Sequence, residues 1–600
     1  MNMNDTNFSE IVNYLQRNSH REFLSVWIIS LTIVIVFAVI FDSNNSTSLK
    51  QVHPIFNQRN NISQNLSKNY FLYLGSICFL IFVCIYIYLI FNKAEFAYYD
   101  HDQFTFFSLQ GKFYNMPIWS KSGRYWPLGL QEYNIISIFN KTPLAYHSFS
   151  IFQLLVTIIL CLSILPQIKL SHKIILATLL LALPSFVVSF FGLIYPERNI
   201  IFWLAIFIFC LEKLEKHKSL FYLCGIFIAT QFLLYYKEPI FLLIIGFAGS
   251  RLIITAFNDR LWHKLQQRIF GFVKNNWLDL GLIILSLVFM YLYISNTYGQ
   301  VGTSYASAHA RDSRLSTFVN YLKANPILLI FLLVFIGRIR GLILGKYRLN
   351  LIWDTLAIGN LLYFLAYIKL NIFTNYYTAP VDFIATLYLA NISSKVLINK
   401  QRYKVLGIVF LVIIIFINNI HYSSFFILAR KKMIDGKVQT THFLERYISN
   451  NNSHNIDLFF PENSGYRMMQ FSAFLNYKNF PILIQDNKPF RDGFLVMKAK
   501  KSFPDNLCTP YRPFKCFYSA QPEPSNLIII FLPEKPFTGK EPLTRRELIN
   551  KFEKNSVQLF HYQPEFQGIE SILYFFCKDR IDEIWLNAYV FTDFNPGKTR

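Results

Sequence analysis

The chain has 600 residues, of which 53% are hydrophobic, 18% aromatic and only 16% charged. Such a composition is too apolar for an ordinary soluble enzyme and indicates a protein that lies mostly in a membrane. The formal net charge is +23, but Lys and Arg are scattered in short groups between apolar runs rather than gathered on one face. This distribution excludes a nucleic-acid partner and is typical of membrane topology and contact with lipid headgroups.

Apolar runs of the length that a bilayer requires recur along the chain and predict about twelve membrane spans. The first run is long for a signal-peptide core and has no small-residue cleavage site after it, so we expect it to be retained. The spans that start at Ile200 and Pro326 are short, which predicts either a different tilt or a start inside the preceding loop. The predicted spans are Phe23–Phe41, Tyr70–Phe91, Ser150–Leu165, Lys173–Phe191, Ile200–Leu211, Leu220–Tyr236, Ile240–Phe257, Trp277–Ser295, Pro326–Ile339, Leu349–Leu370, Tyr377–Ile392 and Val405–Phe426.

The basic residues of the short loops predict how these spans are oriented. Lys and Arg concentrate in connections that alternate so as to share one side, which the positive-inside rule assigns to the cytoplasm. The connections are QIKLSHK, EKLEKHK, NDRLWHKLQQRIFGFVKNN, RIRGLILGKYR and SSKVLINKQRYK. The long loop 92–149 and everything after about Leu428 then lie outside, as does the N-terminus, where Arg17 and Arg21 neither support nor oppose that orientation.

The composition changes from about Ala429, where charged and proline-containing sequence alternates with short apolar runs such as IDLFF, PILIQ and LIIIFLP. Such runs are typical of buried strands, so we expect a soluble α/β domain of about 170 residues on the outer side. Two of its cysteines, Cys508 and Cys516, form either a disulfide or two separate thiols, because spacing alone does not determine geometry. The predicted division is 1–69, an N-terminal span and mobile loop, 70–428, the transmembrane domain, and 429–600, the α/β domain.

The unusual charged residues share one predicted side. Charges at or near membrane depth are costly and are therefore hypotheses of function. Those on the predicted outer side are Asp100, Asp102, Glu132, Glu197, Arg198, Lys237, Glu238, Arg311 and Arg314.

The long outer loop begins with DHDQF, which places Asp100 and Asp102 directly after a span. Its segments FTFFSLQGKFYNMPIWS and YWPLGLQEYNIISIF are rich in aromatic residues and predict amphipathic helices at the membrane interface. Between them, SGRYWPLG predicts a turn with Arg124 at its tip, where a guanidinium can bind a phosphate or a carboxylate through two hydrogen bonds.

Each of these residues alone also has a plainer interpretation. On this interpretation, an aspartate of DHDQF would only cap the following helix, and Arg124 would only reach the lipid headgroups. Glu197 and Arg198 would contact each other at a span entrance. Lys237 and Glu238 would be solvated in a hairpin, and Arg311 and Arg314 would line a solvated loop. A role in a functional site is favoured over these interpretations because the residues occur together on one side.

Taken together, these segments resemble the GT-C membrane glycosyltransferases, such as the protein O-mannosyltransferases, the aminoarabinose transferase for lipid A and the bacterial O-antigen glucosyltransferases. The resemblance covers the whole architecture, whereas its motifs are short. DHDQF takes the place of the family's Asp-Asp or Asp-Glu pair, with His101 as a departure from it. GRYWPLG is similar to a Gly-Arg-aromatic turn of some members, and NYYTAPVDF, with Tyr376 and Tyr377, resembles their aromatic-Pro segment at the mouth of a late span.

The resemblance implies a GT-C-like fold in the bacterial inner membrane, surrounded by lipid, with its active site facing outwards. The activity would transfer a hexose or pentose from a polyprenyl-phosphate donor to a glycan, lipid or protein acceptor. Asp102 or Asp100 would be the general base, a role typically worth about 10²- to 10⁴-fold in rate. Binding of substrate and phosphate would fall to the outer charges with Tyr376 and Tyr377, where cations balance the departing phosphate.

A metal ion stays an open alternative. Carboxylates at positions i and i+2 point to different sides of a helix but to the same side of a strand. If the segment is helical, one of Asp100 and Asp102 is the base and the other orients it. If it is extended, both can bind a divalent cation.

Two other functions use lipid-linked substrates. A transporter or flippase would need outer charges and many spans, but usually shows internal repeats and polar residues near the midplane in broken helices. An O-antigen polymerase or ligase tends to place its arginines in a large late loop, whereas the acidic motif of this chain comes early.

Overall fold

The structure is a computed structural model, and it describes residues 25–33, 36, 66–91, 116–140, 142–165, 170–258, 272–273, 275–298, 313–398, 402–451, 456–460, 495–499, 515–518, 527–531, 542–584, 587–593 and 595. Three predicted site residues, Asp100, Asp102 and Arg311, lie outside this part of the chain, and so does Cys508. The predicted base and one cysteine of the possible disulfide therefore fall outside the described residues.

Helices coincide with all the predicted spans. Residues 25–33 are helical within the first of them. The helices that follow are α1 Leu66–Phe91, α2 Gln131–Phe139, α3 Pro143–Ile164, α4 Leu170–Ala182, α5 Pro184–Phe191, α6 Glu197–His217, α7 Leu220–Tyr236, α8 Ile240–Asn258, α9 Trp277–Thr297, α10 Arg314–Ala324, α11 Pro326–Ile343, α12 Leu351–Leu370, α13 Ala379–Ile398 and α14 Arg402–Asn451.

Within the described residues, six helices are long and apolar enough to cross a membrane, namely α3, α8, α9, α11, α12 and the part of α14 from Leu411 to Tyr447. The bent pair α4 and α5, whose axes differ by 66°, makes a seventh if it is one span. The break is at Leu183, because Pro184 has no backbone N–H and disfavours helical backbone in the residue before it. The protein is thus the predicted α-helical polytopic membrane protein.

The two short predicted spans are longer in the structure. α6 begins at Glu197, inside the preceding loop, which was one of the two explanations offered for its short apolar run. It continues to His217. α11 begins at Pro326 as predicted and ends at Ile343.

Part of the outer loop differs from the prediction. The first amphipathic helix was expected to include the residues IWS, but strand β1, Ile118–Trp119, pairs there in antiparallel fashion with β2, Arg124–Tyr125. Pro117 cannot donate a helical hydrogen bond, and Gly123 adopts the left-handed conformation (φ 70°) that a tight turn needs. The second expected helix is present as α2.

The C-terminal part is an α/β domain, as predicted. Its sheet has the strand order β5-β4-β3-β6-β8-β7. Strands β3, β4, β5 and β6 are parallel to one another, whereas β8 is antiparallel to both β6 and β7. The elements are β3 Ile456–Phe460, β4 Leu495–Ala499, β5 Lys515–Tyr518, β6 Leu527–Phe531, α15 Pro542–Asn555, β7 Val557–Tyr562, α16 Ile569–Ile584 and β8 Ala588–Thr592.

The helix α14 joins the two parts of the chain. No proline interrupts its 50 residues, so its hydrogen bonding continues from the last apolar run into the α/β domain. The boundary predicted at residues 428 and 429 lies inside this helix.

Candidate active site

The hairpin β1–β2 presents Arg124 to the connection between α7 and α8. Arg124 Nε donates a hydrogen bond of 2.8 Å to Glu238 Oε1, and the backbone N–H of Tyr125 donates to the same oxygen at 2.8 Å. The Leu128 N–H also donates to the Tyr235 carbonyl at 3.2 Å. These bonds join the outer loop to the end of α7, and an ion pair with two donors on one carboxylate oxygen holds the guanidinium in a defined direction.

Glu132 of α2 is held by the first turn of α6. Its Oε1 accepts hydrogen bonds from Arg198 Nη2 at 3.0 Å and from Asn199 Nδ2 at 2.6 Å. Arg198 Nη2 also donates to the Tyr133 hydroxyl at 2.7 Å, and Gln153 Nε2 of α3 donates to Asn199 Oδ1 at 2.8 Å. Because Arg198 is completely buried, this network holds α2, α3 and α6 together through polar contacts that water cannot replace.

Lys237 lies between α7 and α8 and pairs with Glu197 at the start of α6. Both side chains are buried. The Lys237 ammonium is also 3.7 Å from the ring centroid of Tyr377 and 5.7 Å from that of Tyr376. A cation close to an aromatic face gains electrostatic stabilisation, so the lysine is held by one carboxylate and two tyrosine rings.

The tyrosines continue the site towards α14. Tyr376 packs on Tyr195 with ring centroids 4.3 Å apart, and Arg430 Nη2 of α14 donates a hydrogen bond of 3.1 Å to the Tyr195 hydroxyl. Gly192 makes room for this contact, since a Cβ there would be 2.5 Å from Arg430 Nη1. A line of cations and aromatic rings therefore runs from Lys237 to Arg430.

The charges of this site balance. We use the name charged cluster for three cations, three carboxylates and two tyrosines, which are Arg124, Arg198, Lys237, Glu132, Glu197, Glu238, Tyr376 and Tyr377. Removing one charge from a buried pair leaves its partner uncompensated and typically costs about 3–5 kcal/mol. The cluster is therefore stable as a set and sensitive to single changes.

Burial changes the acid–base behaviour of two members. It lowers the pKa of Lys237 to about 8, with Arg124 adding to the effect and Glu197 opposing it. It raises the pKa of Glu132, against the opposing effects of Arg198 and Asn199. Lys237 is thus a cation at neutral pH that loses its proton more easily than an exposed lysine.

Several polar atoms of the cluster keep hydrogen-bonding capacity. Within the described part of the chain, Arg198 Nε and Nη1 and the second carboxylate oxygens of Glu132 and Glu197 have no hydrogen-bond partner. The Lys237 ammonium has three N–H donors, of which Glu197 takes one. Arg198 and Lys237 therefore keep N–H donors that could serve an anionic group, whereas the two unused carboxylate oxygens can only accept.

The structure brings together eight of the predicted site residues, which form the charged cluster. Arg314 does not join it, because its side chain is exposed in the first turn of α10. Two of the plainer interpretations are wrong: Glu197 and Arg198 do not pair with each other, and neither Lys237 nor Glu238 is a solvated hairpin residue.

Sequence reasoning missed Tyr195 and Arg430. The available signal was the basic run Arg430-Lys431-Lys432 directly after the last apolar run, which marked only the change in composition. It also missed Asp382 of α13, a fully buried carboxylate to which the Ser185 hydroxyl donates at 2.6 Å. Asp382 belongs to the segment NYYTAPVDF, where only the aromatic residues were singled out.

Among the described residues, no three His, Cys, Asp or Glu side chains come together in a way that suits a metal ion. The predicted cation site on Asp100 and Asp102 lies outside those residues, so the metal stays an open alternative.

No protein-family model and no curated protein sequence matches the chain. Among solved structures, the fold is similar to the crystal structure of ArnT from Cupriavidus metallidurans bound to undecaprenyl phosphate, with a TM-score of 0.43 and 10% sequence identity. The similarity covers 86% of this chain and 97% of that one. At this TM-score and identity it carries no argument about what the chain does.

Proposed function

We propose that this chain is a GT-C type glycosyltransferase that moves a hexose or pentose from a polyprenyl-phosphate donor to an acceptor outside the cytoplasm. Its place would be the bacterial inner membrane, with the charged cluster on the outer side. The acceptor would be a glycan, lipid or protein of the cell envelope.

One observation carries this proposal. Residues from four separate segments meet at one end of the helices. Arg124, Arg198 and Lys237 are predicted from the sequence to lie on the outer side, and Tyr377 comes from the segment that carries the family resemblance. Polar groups concentrated at a membrane interface suit a substrate whose lipid tail stays among the helices while its charged head stays at the surface. A polyprenyl-phosphate sugar has these two parts.

The reaction needs one base and several cations. A hydroxyl of the acceptor attacks the anomeric carbon, a new C–O bond forms there, and the bond from that carbon to the phosphate oxygen breaks. The hydroxyl proton passes to Asp102 or Asp100, and the phosphate leaves on its polyprenyl chain with one more negative charge. Lys237 and Arg124 would balance that charge in a site partly shielded from water, where fixed charges act more strongly.

The carboxylates and tyrosines of the cluster would act on the cations. Glu238 and Glu197 hold Arg124 and Lys237 in place. Tyr377 keeps the Lys237 ammonium in position from its other side. An arrangement that is fixed before the donor binds loses less free energy to ordering when the phosphate arrives.

The test uses the purified chain in lipid nanodiscs with radiolabelled donors of both sugar classes, which are undecaprenyl phosphoglucose, undecaprenyl phosphomannose and undecaprenyl phosphoarabinose. Solubilised cell-envelope material serves as acceptor. We expect label to move to the acceptor fraction with release of undecaprenyl phosphate. Release of free sugar alone, or no loss of any donor although undecaprenyl phosphate binds, would contradict a transferase.

A specific observation also favours a transporter of lipid-linked sugars. The buried carboxylate of Asp382 lies beside the break between α4 and α5, with Ser185 of α5 as its hydrogen-bond donor. Discontinuous helices with a buried charge are typical of secondary transporters. Reconstituted liposomes that move a fluorescent lipid-linked sugar across the bilayer, and lose this activity in Asp382→Asn, would support that alternative.

A further inference from the structure

The helix α16 of the α/β domain carries an apolar face that the rest of the protein leaves exposed. Phe575 is 79% exposed, Ile572 60% and Phe576 41%. We propose that α16 dips into the leaflet on the side of the charged cluster, where lipid acyl chains cover these side chains and hold the α/β domain against the bilayer. This inference does not depend on the proposed function.

The position of α16 beside α14 places it at membrane depth. At its start, Glu570 Oε2 is 2.6 Å from Lys432 Nζ. Further along, a ring nitrogen of His421 donates to the Phe576 carbonyl at 2.6 Å. His421 lies inside the predicted span Val405–Phe426, so α16 descends along α14 from the basic run into the apolar part of that helix.

The next residues stay beside α14. The Arg580 guanidinium carbon is 3.8 Å from the ring centroid of Tyr422, and the buried side chain of Cys577 belongs to the same apolar core as the membrane helices. A helix of a free soluble domain would bury such residues against its own sheet.

A kink turns the chain back towards the sheet. Cys577 has non-helical backbone angles, φ −133° and ψ 19°. The strand β8 then begins at Ala588, whose Cβ is 3.7 Å from where a Cβ of Gly436 would be. His421 and Gly436 are about 22 Å apart along a helix. Phe575 and Phe576 are therefore at the deepest point of the dip, and the His421 hydrogen bond satisfies a carbonyl beside the kink at a depth without water.

An apolar groove joins the exposed surface of α1 to the start of α16. Ile77, Leu80 and Ile81 of α1 are all at least half exposed. They line a groove of about 410 Å³ whose other wall includes Ile569, the first residue of α16. Since α1 is a predicted span, its exposed residues face lipid, and the groove brings this lipid-facing surface to the start of α16.

The polar residues of α16 suit a short dip better than a full span. Lys578 and Asp579 are exposed on the returning limb, directly after the two phenylalanines. Interfacial helices commonly combine an apolar face with charged residues that reach the headgroups. Acyl chains are thus a better match for this surface than a second protein, because the neighbouring surface of α1 faces lipid as well.

The test places one trifluoromethyl-phenylalanine at Phe575 in the full-length chain in nanodiscs and measures the broadening of its fluorine signal. Oxygen, which concentrates in lipid, is compared with a water-soluble nickel chelate. A matched control carries the same label at Val557, a 46% exposed apolar residue on β7 of the same domain. We expect broadening at Phe575 mainly by oxygen and at Val557 mainly by the chelate.

Two outcomes would overturn the proposal. Broadening at Phe575 mainly by the chelate would place the helix in water, and protection from both reagents would place it against another protein or a second copy of the chain. If the labelled Phe575 protein does not fold, the label at Ile572 makes the same measurement with the same expected result.

Discussion

The two ends of the helix bundle both contain buried ion pairs, but their construction differs. At one end, Arg338 pairs with Asp354, its Nη2 donating to Asp354 Oδ2 at 2.7 Å and to the Arg348 carbonyl at 3.1 Å. The two residues are 16 positions apart and close the turn between α11 and α12. At the other end, the pairs of the charged cluster join residues 114, 66 and 40 positions apart.

A second difference is how completely the hydrogen-bonding atoms of these ion pairs are satisfied. Arg338 and Asp354 satisfy each other through two hydrogen bonds, which is what a pair that fixes a helix end requires. Both sites have tyrosine neighbours, since Arg338 lies over the Tyr347 ring much as Lys237 lies over that of Tyr377. Only in the charged cluster are several donors and acceptors of these pairs left over among the described residues. A buried ion pair is by itself weak evidence of function, and unused hydrogen-bonding capacity is the better guide.

The largest expected effect tests the part of the site that lies outside the described residues. Asp102→Asn or Asp100→Asn removes the predicted base, and we expect sugar transfer to fall about 10²- to 10⁴-fold because the acceptor proton has no carboxylate to accept it. The measurement is the initial rate of transfer, with Glu553→Gln, an exposed change in the α/β domain, as the control. Full activity in both single variants and in the double variant would disprove the assignment.

Lys237→Met should affect both stability and donor binding. It leaves Glu197 buried without its cation, so the unfolding free energy should fall by about 3–5 kcal/mol. We expect the affinity for undecaprenyl phosphate to fall about 10- to 100-fold, as a charged hydrogen bond is lost. Thermal unfolding and a lipid-binding titration measure the two effects.

The double variant Lys237→Met with Glu197→Gln separates these effects. Removing both charges should restore most of the stability, because no unpaired charge is left buried. The affinity for undecaprenyl phosphate should stay low. Wild-type affinity in the double variant would show that Lys237 does not contact the phosphate.

Arg338→Met makes the matching change at the other end of the bundle. It leaves the buried carboxylate of Asp354 without its cation, and we expect the unfolding free energy to fall by about 1–3 kcal/mol. The affinity of the folded fraction for undecaprenyl phosphate should not change. An affinity loss as large as that of Lys237→Met would mean that the two ends do not differ in function.

The smallest expected effect is a pH dependence. Since the pKa of Lys237 is lowered to about 8, its charge is lost above that pH, and the affinity for undecaprenyl phosphate should fall by up to about tenfold per pH unit. Lys237→Met should not show this fall between pH 7 and 9.5.

The same group should change stability in the opposite direction. Between its folded value of about 8 and its ordinary value of 10.5, Lys237 is neutral when folded and protonated when unfolded. The unfolded state then binds the extra proton, so the contribution of Lys237 to the unfolding free energy rises with pH over this window. A parallel decline of stability and affinity that is absent in Lys237→Met would contradict the assigned pKa.

The sequence predicted which charged residues lie on one side because the positive-inside pattern sorts loops by side. Glu132, Arg198 and Lys237 belong to predicted outer loops, and they meet in the structure together with Tyr377, which only the family resemblance had indicated. Arg430 was not predicted as a site residue because it follows the last span on the same helix, where a basic residue is an ordinary sign of the membrane boundary. A helix was predicted in place of the strand at Ile118 because aromatic residues favour both an interfacial helix and a strand.

The sequence by itself determined which apolar runs are helices, where those runs begin and which charges share an end of the bundle. These properties depend on local hydropathy and on loop composition, and both can be read from neighbouring residues. Only the tertiary structure decided which partner each charge takes. Glu197 follows Tyr195 and Pro196 and precedes Arg198, yet its partner is Lys237, because the helix ends that meet determine which buried charge lies within reach.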